Sequence, residues 1–276
     1  MSGSRRDGAA SIGVFDSGLG GLTVARAIRR ALPREHLVYL GDTARVPYGT
    51  RSAETVIRYA RTCGRMLEKR GIKMLVVACN TVSAVALDML RVELDMPVLG
   101  VIEPGARAAV KASHTGKVGV IATAGTVASN AYPRAAASFD SRAEITQRAA
   151  PLLVPLAEEG WLDGEVPRLA VHRYIEPLIA TGIDTLVLGC THYPLFEAII
   201  EEEARILAGK AIAIVDSGVA AAGELGVLLA ERDLARMDGV GSLELMVTDR
   251  PAKFAEVAAR FLGASVEDLA VEQVDL

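Results

Sequence analysis

Short runs of consecutive Val, Ile and Leu-rich residues recur at 11–15, 37–40, 74–78, 117–121, 184–189, 211–215 and 243–247. Between them lie longer stretches whose apolar residues return every three to four positions, as in 52–70 and 194–208. The first pattern predicts strands and the second predicts amphipathic helices. Their alternation predicts βαβ units on a mostly parallel sheet. Because the strand segments are almost continuously apolar rather than alternating, both faces of each strand are expected to be covered by helices. No low-complexity segment or linker interrupts the pattern.

The pattern also echoes itself. KMLVVACNT (73–81) resembles DTLVLGCTH (184–192), each an apolar strand that ends in a cysteine followed by polar residues. SIGVFDS (11–17) resembles KVGVIAT (117–123) in the same way. Each half therefore holds an early strand and a later cysteine strand in the same order. The fold class expected is α/β with two related lobes, each a mostly parallel sheet flanked by helices. One sheet with coincidentally similar strands is the alternative.

Composition narrows the functional classes. A chain of 276 residues, 51% hydrophobic and 23% charged, can bury a large core, which excludes disorder. The formal charge is -4, no basic run exceeds Arg29–Arg30 and aromatic residues make up 4%, so nucleic acid is not expected as the main partner. The polar start MSGSRRDGAA has no apolar signal region, and no apolar run approaches the roughly 20 residues that cross a bilayer, so a cytoplasmic protein with no membrane partner is expected. Three widely spaced cysteines, Cys63, Cys79 and Cys190, do not form a disulfide framework or a zinc pattern.

In an open α/β sheet ligands bind beyond the carboxyl ends of the strands, and Asp16, Cys79, Thr123 and Cys190 all fall at or just past such ends. Asn80 and Thr81 are expected to cap a helix after Cys79, and Thr191 with Pro194 marks a helix start after Cys190. A thiol there would feel the positive end of the helix dipole, which favours thiolate. A single cysteine at a strand end reads first as a small buried hydrophobe, but two in matching positions favour the functional reading. Cys63, inside the helical stretch TVIRYARTCGRMLEKR, is assigned to packing.

His192, two residues past Cys190, and Glu158, at the end of the short segment PLAEEG, are candidates to act beside the second thiol, although spacing alone leaves Glu158 and Glu159 as surface residues. Cys190 and His192 lack further ligands at metal spacing, so no metal is expected. The turn DSGLGG (16–21) lies where a dinucleotide loop would, but Thr23 occupies the position of the third glycine of that fingerprint and no P-loop lysine follows. What remains is a turn with free backbone amides suited to a small carboxylate, and PYG (47–49) is a second such turn, placing Tyr48 beside exposed amides.

Taken together, DSGLGGLTVA (16–25), GDTARVPYG (41–49), ACNTVSA (78–84), VIEPG (101–105), ATAGTVASNAY (122–132), VPLAEEG (154–160) and GCTHYP (189–194) resemble the glutamate racemases of the aspartate/glutamate racemase superfamily. The resemblance runs in family order from 11 to 218. One position departs: AAPLL stands where a cysteine before Pro151 is expected, at a place that is not catalytic in the family.

That resemblance implies Cys79 and Cys190 as the two proton-transfer thiols, Asp16 beside the first, and His192 with Glu158 beside the second. It implies that Ser17, Tyr48, Gly49, Asn80, Thr81, Thr123 and Thr191 hold the α-amino and carboxylate groups of glutamate, with Asp16 and His192 also touching substrate. It implies an active site in the cleft between lobes, the first spanning 1–100 plus about 215–276 and the second 101–214. The expected reaction is racemisation of L- and D-glutamate with no cofactor, supplying D-glutamate for peptidoglycan synthesis. The partner is the small-molecule substrate; a homodimer is left open. An aspartate or hydantoin racemase, a decarboxylase of the same superfamily and a two-lobed amino-acid-binding module without catalysis are the competing readings. PYG and CTHYP favour glutamate, and the paired thiols count against a mere binder.

Overall fold

The computed structural model describes residues 8–263 and 270–276. Among the described residues ten strands form: β1 (Ile12–Asp16), β2 (Leu37–Gly41), β3 (Met74–Val77), β4 (Val98–Gly100), β5 (Lys117–Ala122), β6 (Glu144–Ala149), β7 (Thr185–Gly189), β8 (Ala213–Asp216), β9 (Leu243–Val247) and β10 (Val271–Gln273). They build two sheets, ordered β10-β9-β2-β1-β3-β4 and β6-β5-β7-β8. Every pairing is parallel.

The internal echo has a topological counterpart. The run β2-β1-β3-β4 in the first sheet and β6-β5-β7-β8 in the second have the same connectivity, in which the chain first steps to one side of the leading strand and then crosses to the other. Each sheet thus reverses its winding next to its leading strand, between β1 and β3 in one and between β5 and β7 in the other. Helices that follow adjacent strands diverge at such a point and leave a crevice at the strand ends. Asp16 ends β1, Cys79 lies two residues past β3, Thr123 follows β5 and Cys190 follows β7.

Alternation along the strands explains the layers. Ile12 and Val14 of β1 point into a core that continues through the helix Leu22–Ala31 and the helix Ser217–Glu231 to Ile121 and Leu188 of the second sheet. Phe15 points the other way, into a layer with Val56, Ala60, Cys63 and Leu67 of the helix Ala53–Lys69. On the Phe15 face, a side chain at Gly13 would lie 2.5 Å from Cδ1 of Ile72, in the loop before β3, so a larger residue there would displace that side chain. One continuous core therefore joins the two sheets.

Three strands escape the apolar-run criterion. β4 is three residues long, β10 is a short strand at the sheet edge, and β6 (EITQRA) is a half-exposed edge strand with no apolar run. The stretch 194–208 is also not one helix: a 3₁₀ turn, Tyr193–Phe196, precedes the helix Glu197–Ala208.

Under the first sheet, fully buried Lys73 is held by Glu35 (Nζ to Oε2, 2.5 Å) and donates to the carbonyls of Gly8 and Leu234, both at 2.7 Å. Glu35 Oε1 accepts from the Arg236 amide at 2.7 Å, so one buried pair ties together four stretches of chain, at Gly8, Glu35, Lys73 and 234–236. Removing one partner leaves the other charge buried and alone. Lys73→Met is expected to lower unfolding stability by about 3–5 kcal/mol, with part recovered in Lys73→Met/Glu35→Gln, as read from urea midpoints.

Candidate active site

The carboxyl ends of β1, β3, β5 and β7 converge on a cavity of about 340 Å³. Of the twelve residues singled out in the sequence, eleven line it: Ser17, Tyr48, Gly49, Cys79, Asn80 and Thr81 with the first sheet, and Thr123, Glu158, Cys190, Thr191 and His192 with the second. Asp16 does not reach its wall. It is buried beneath the Ser17–Leu19 segment, where Oδ2 accepts from the Gly18 amide at 2.9 Å and Oδ1 has no hydrogen-bond partner.

On the first side, Cys79 is itself the N-cap of the short helix Asn80–Val85, and no side chain caps it. The expectation that Asn80 and Thr81 cap that helix is thus corrected: both lie in its first turn and are engaged across the cleft. Asn80 Nδ2 donates to Tyr132 Oη (3.0 Å) and Ser217 Oγ (3.3 Å), while its Oδ1 is buried without a partner. Thr81 Oγ1 meets Thr123 Oγ1 at 3.0 Å. The Cys79 thiol donates to Ser17 Oγ at 3.5 Å.

The expected lowering of the thiol pKa by the helix dipole is overturned for Cys79. Burial, and then the nearby Asp16 carboxylate, push it up to about 12, against the pull of the Ser17 hydroxyl and the Val82 amide. Desolvation of a thiolate outweighs one turn of helix dipole. Asp16 is likewise raised by burial, with the His192 charge and the amides of Gly18, Gly21 and Ser17 opposing.

On the second side, Cys190 follows β7, and the helical turn after it begins beyond His192 rather than at Thr191. Cys190 Sγ lies 3.8 Å from His192 Nδ1, and His192 Nε2 lies 3.2 Å from Glu158 Oε1. Glu158 sits in the last turn of the helix Leu153–Glu159. Burial alone would lower the His192 pKa, but its bonds to Cys190 and Glu158 and their negative charges raise it to about 10.

Close approach of the loops depends on glycine. A side chain at Gly20 would lie 2.2 Å from Thr191 Oγ1 and 2.5 Å from His192 Nδ1, so the DSGLGG turn docks directly on the Cys190 loop. Thr23, which breaks the dinucleotide fingerprint, donates its hydroxyl between the carbonyls of Gly20 (3.0 Å) and Thr191 (2.9 Å). On the far side of the cleft the Gly125 amide donates to the Gly49 carbonyl at 3.1 Å.

Tyr48 is buried rather than set beside exposed groups, and its hydroxyl donates to Asp42, which also accepts from Thr248 Oγ1 (2.9 Å) and pairs with Arg45 (2.7 Å). Cys63 is buried as expected but touches this cluster, with Arg45 Nη2 at 3.9 Å; burial and the Asp42 charge push its thiol well above the ordinary range. Ala150, where a cysteine was expected, is fully buried and its carbonyl accepts from Tyr193 Oη at 2.8 Å. Among the described residues no group of three or more His, Cys, Asp or Glu is placed to hold a metal ion.

Tyr132, Ser217, Thr23 and the lining residues Val46, Pro47, Val154 and Pro155 were not selected from the sequence. Tyr132 closes the quoted ATAGTVASNAY segment, so a tyrosine on that short stretch was the one available signal. The others are placed by tertiary contact.

The family model for Asp/Glu/Hydantoin racemase matches residues 12–225. A glutamate racemase of Geobacter metallireducens is 49% identical over 96% of this chain and 97% of its own. A glutamate racemase isoform of Bacillus anthracis superposes with a TM-score of 0.91 at 39% identity, over 97% of this chain and 98% of that one. The Francisella tularensis glutamate racemase, solved in complex with D-glutamate, gives a TM-score of 0.88 at 33% identity over 97% and 98% of the two chains. With the thiols, the two switch points and these likenesses in agreement, the chain belongs to the glutamate racemases of the Asp/Glu/Hydantoin racemase family.

Proposed function

We propose that the chain interconverts L- and D-glutamate without a cofactor, Cys79 acting on one face of the α-carbon and Cys190 on the other. The observation that carries this reading is one cavity lined by two thiols, each delivered from the equivalent strand of a repeated topology. Inversion requires a base on one face and an acid on the other. Whichever thiol is deprotonated takes the α-proton, and the other delivers its own to the opposite face.

The unpartnered oxygen of Asn80 supplies a negative pole on that cavity and suits the α-ammonium group. The amides and hydroxyls of Ser17, Gly49, Thr81, Thr123 and Thr191 suit the two carboxylates, whose developing charge they stabilise. Tyr48 contributes its backbone and ring wall, since its hydroxyl is spent on Asp42. Lobes at 1–100 plus about 215–276 and at 101–214 belong to the same reading, which the division of the strands between two sheets supports except at β8 (Ala213–Asp216), which pairs in the second sheet past residue 214. The D-glutamate made in the cytoplasm would feed peptidoglycan synthesis.

Purified protein given either enantiomer, with nothing added, is expected to drive circular dichroism to zero, because enantiomers have equal free energy. In heavy water the first product molecules should carry solvent deuterium at Cα, with little in recovered substrate. Retention of the original proton in product would indicate one base on one face, and no turnover of either enantiomer would overturn the reading.

A further inference from the structure

The C-terminal helix Pro251–Leu262 follows β9, a strand of the sheet that carries Cys79, yet its last turn lies against the Cys190 side of the cleft. Two consecutive residues make the contact. Arg260 Nη1 donates to the carbonyls of Ala157 (3.2 Å) and Glu158 (2.9 Å), the exposed end of the helix Leu153–Glu159. Phe261, fully buried, meets the His192 ring edge-on, with centroids 5.3 Å apart and an interplanar angle of 87°.

The junction is built for this fit. Gly160 ends the short helix with φ +80, a conformation that L side chains rarely adopt, and a side chain there would come within 2.6 Å of Arg260 Nη2. A seven-residue helix has little stability of its own. The Ala157 carbonyl already accepts from the Gly160 amide at 3.1 Å, and the guanidinium adds a second donor there and one to the Glu158 carbonyl while complementing the negative end of the helix dipole. What is fixed at that end is the turn from which Glu158 reaches His192.

We infer that Arg260 and Phe261 are positioning residues for the Cys190 relay, Arg260 holding the backbone of Glu158 and Phe261 holding the plane of His192. The inference rests on Cys190 being the thiol of the second face. Neither residue touches the cavity wall. They act by keeping Glu158, His192 and Cys190 in line at 3.2 and 3.8 Å. Through them the sheet that bears one thiol sets the geometry of the other. The charged and titratable groups facing His192 are Cys190 on its own loop, Glu158 on the short helix and Asp16 at the end of β1.

The test is a double-mutant cycle of Arg260→Met with Glu158→Gln in the full-length enzyme, with Phe261→Leu alongside. Since the equilibrium constant is one, kcat/KM must fall equally in both directions, so rates alone do not locate the effect. Arg260→Met is expected to reduce kcat/KM on the order of tenfold, as small misplacements of catalytic groups do. It should add little further loss in Glu158→Gln, and it should shift the alkaline limb of the pH profile in the same sense as Glu158→Gln does. Arg260→Lys should restore part of the rate, and Phe261→Leu should move the same limb.

If the losses from Arg260→Met and Glu158→Gln simply multiply, or if the limb stays in place, Arg260 serves stability alone and the inference is overturned. A Cys190→Ser variant that still racemises would instead overturn the thiol assignment beneath it. Arg260→Met protein that binds glutamate with wild-type affinity but turns over slowly separates misplacement from misfolding.

Discussion

Replacing either Cys79 or Cys190 by serine is expected to reduce racemisation by roughly 10³-fold or more in both directions, because each direction needs both groups and a hydroxyl is far too weak a base. The two variants should nevertheless differ in what survives. Cys190→Ser keeps the Cys79 thiol and should still exchange the α-proton of D-glutamate with solvent slowly. Cys79→Ser should show the same for L-glutamate. Burial raises the Cys79 thiol to about 12 in the free enzyme, whereas His192 stands beside Cys190 and supplies the compensating positive charge. Cys63→Ser should keep turnover within a few fold while losing stability, since it exchanges a buried thiol beside Arg45 for a hydroxyl. Proton NMR in heavy water reads all three. If both active-site variants exchange the same enantiomer, one thiol per face is the wrong assignment.

Both cavity-lining thiols were legible because the cavity sits at strand ends, and strands buried on both faces announce themselves as apolar runs. Cys79 and Cys190 close two such runs, and the repeated order of those runs indicated two related lobes. The same signal failed for β6, whose edge position leaves half its surface wet and its sequence mixed in polarity. It failed again in predicting the charge state of Cys79. The helix start is visible in the sequence, but the burial that outweighs it comes from tertiary packing among residues far apart in the chain. Asn80 was selected, yet its anchoring by Tyr132 and Ser217 joins segments far apart in the chain, and no local spacing encodes that. Arg260 and Phe261 are a sharper case. Within an amphipathic helix they read as a basic final turn and a core aromatic, and only the docking of that helix against Glu158 and His192 gives them a place near the chemistry.

His192→Gln is expected to reduce kcat/KM by about 10²–10³-fold and to change the form of its pH dependence. In the wild type the imidazole is buried, which alone would favour the neutral ring, but Cys190 and Glu158 hold its proton up to about pH 10. The wild-type rate should therefore stay level through neutral pH and fall above about 10, as the positive charge beside Cys190 is lost. In the variant that alkaline limb disappears and the rate rises with pH, because thiolate must form with no imidazolium next to it. Stability supplies an independent check of sign. The folded state keeps the proton to about 10, whereas an unfolded histidine releases it near 6.5, so the folded state binds more protons throughout that window. The stabilisation is complete below about 6.5 and is lost as pH rises to about 10. Urea midpoints of the wild type should decline across this interval, and those of His192→Gln should decline less. Glu158→Gln, which removes one of the two partners, should move the wild-type limb to lower pH without abolishing it. A variant lacking His192 that keeps both the wild-type profile and more than a tenth of the wild-type rate would show that Cys190 works without its neighbour.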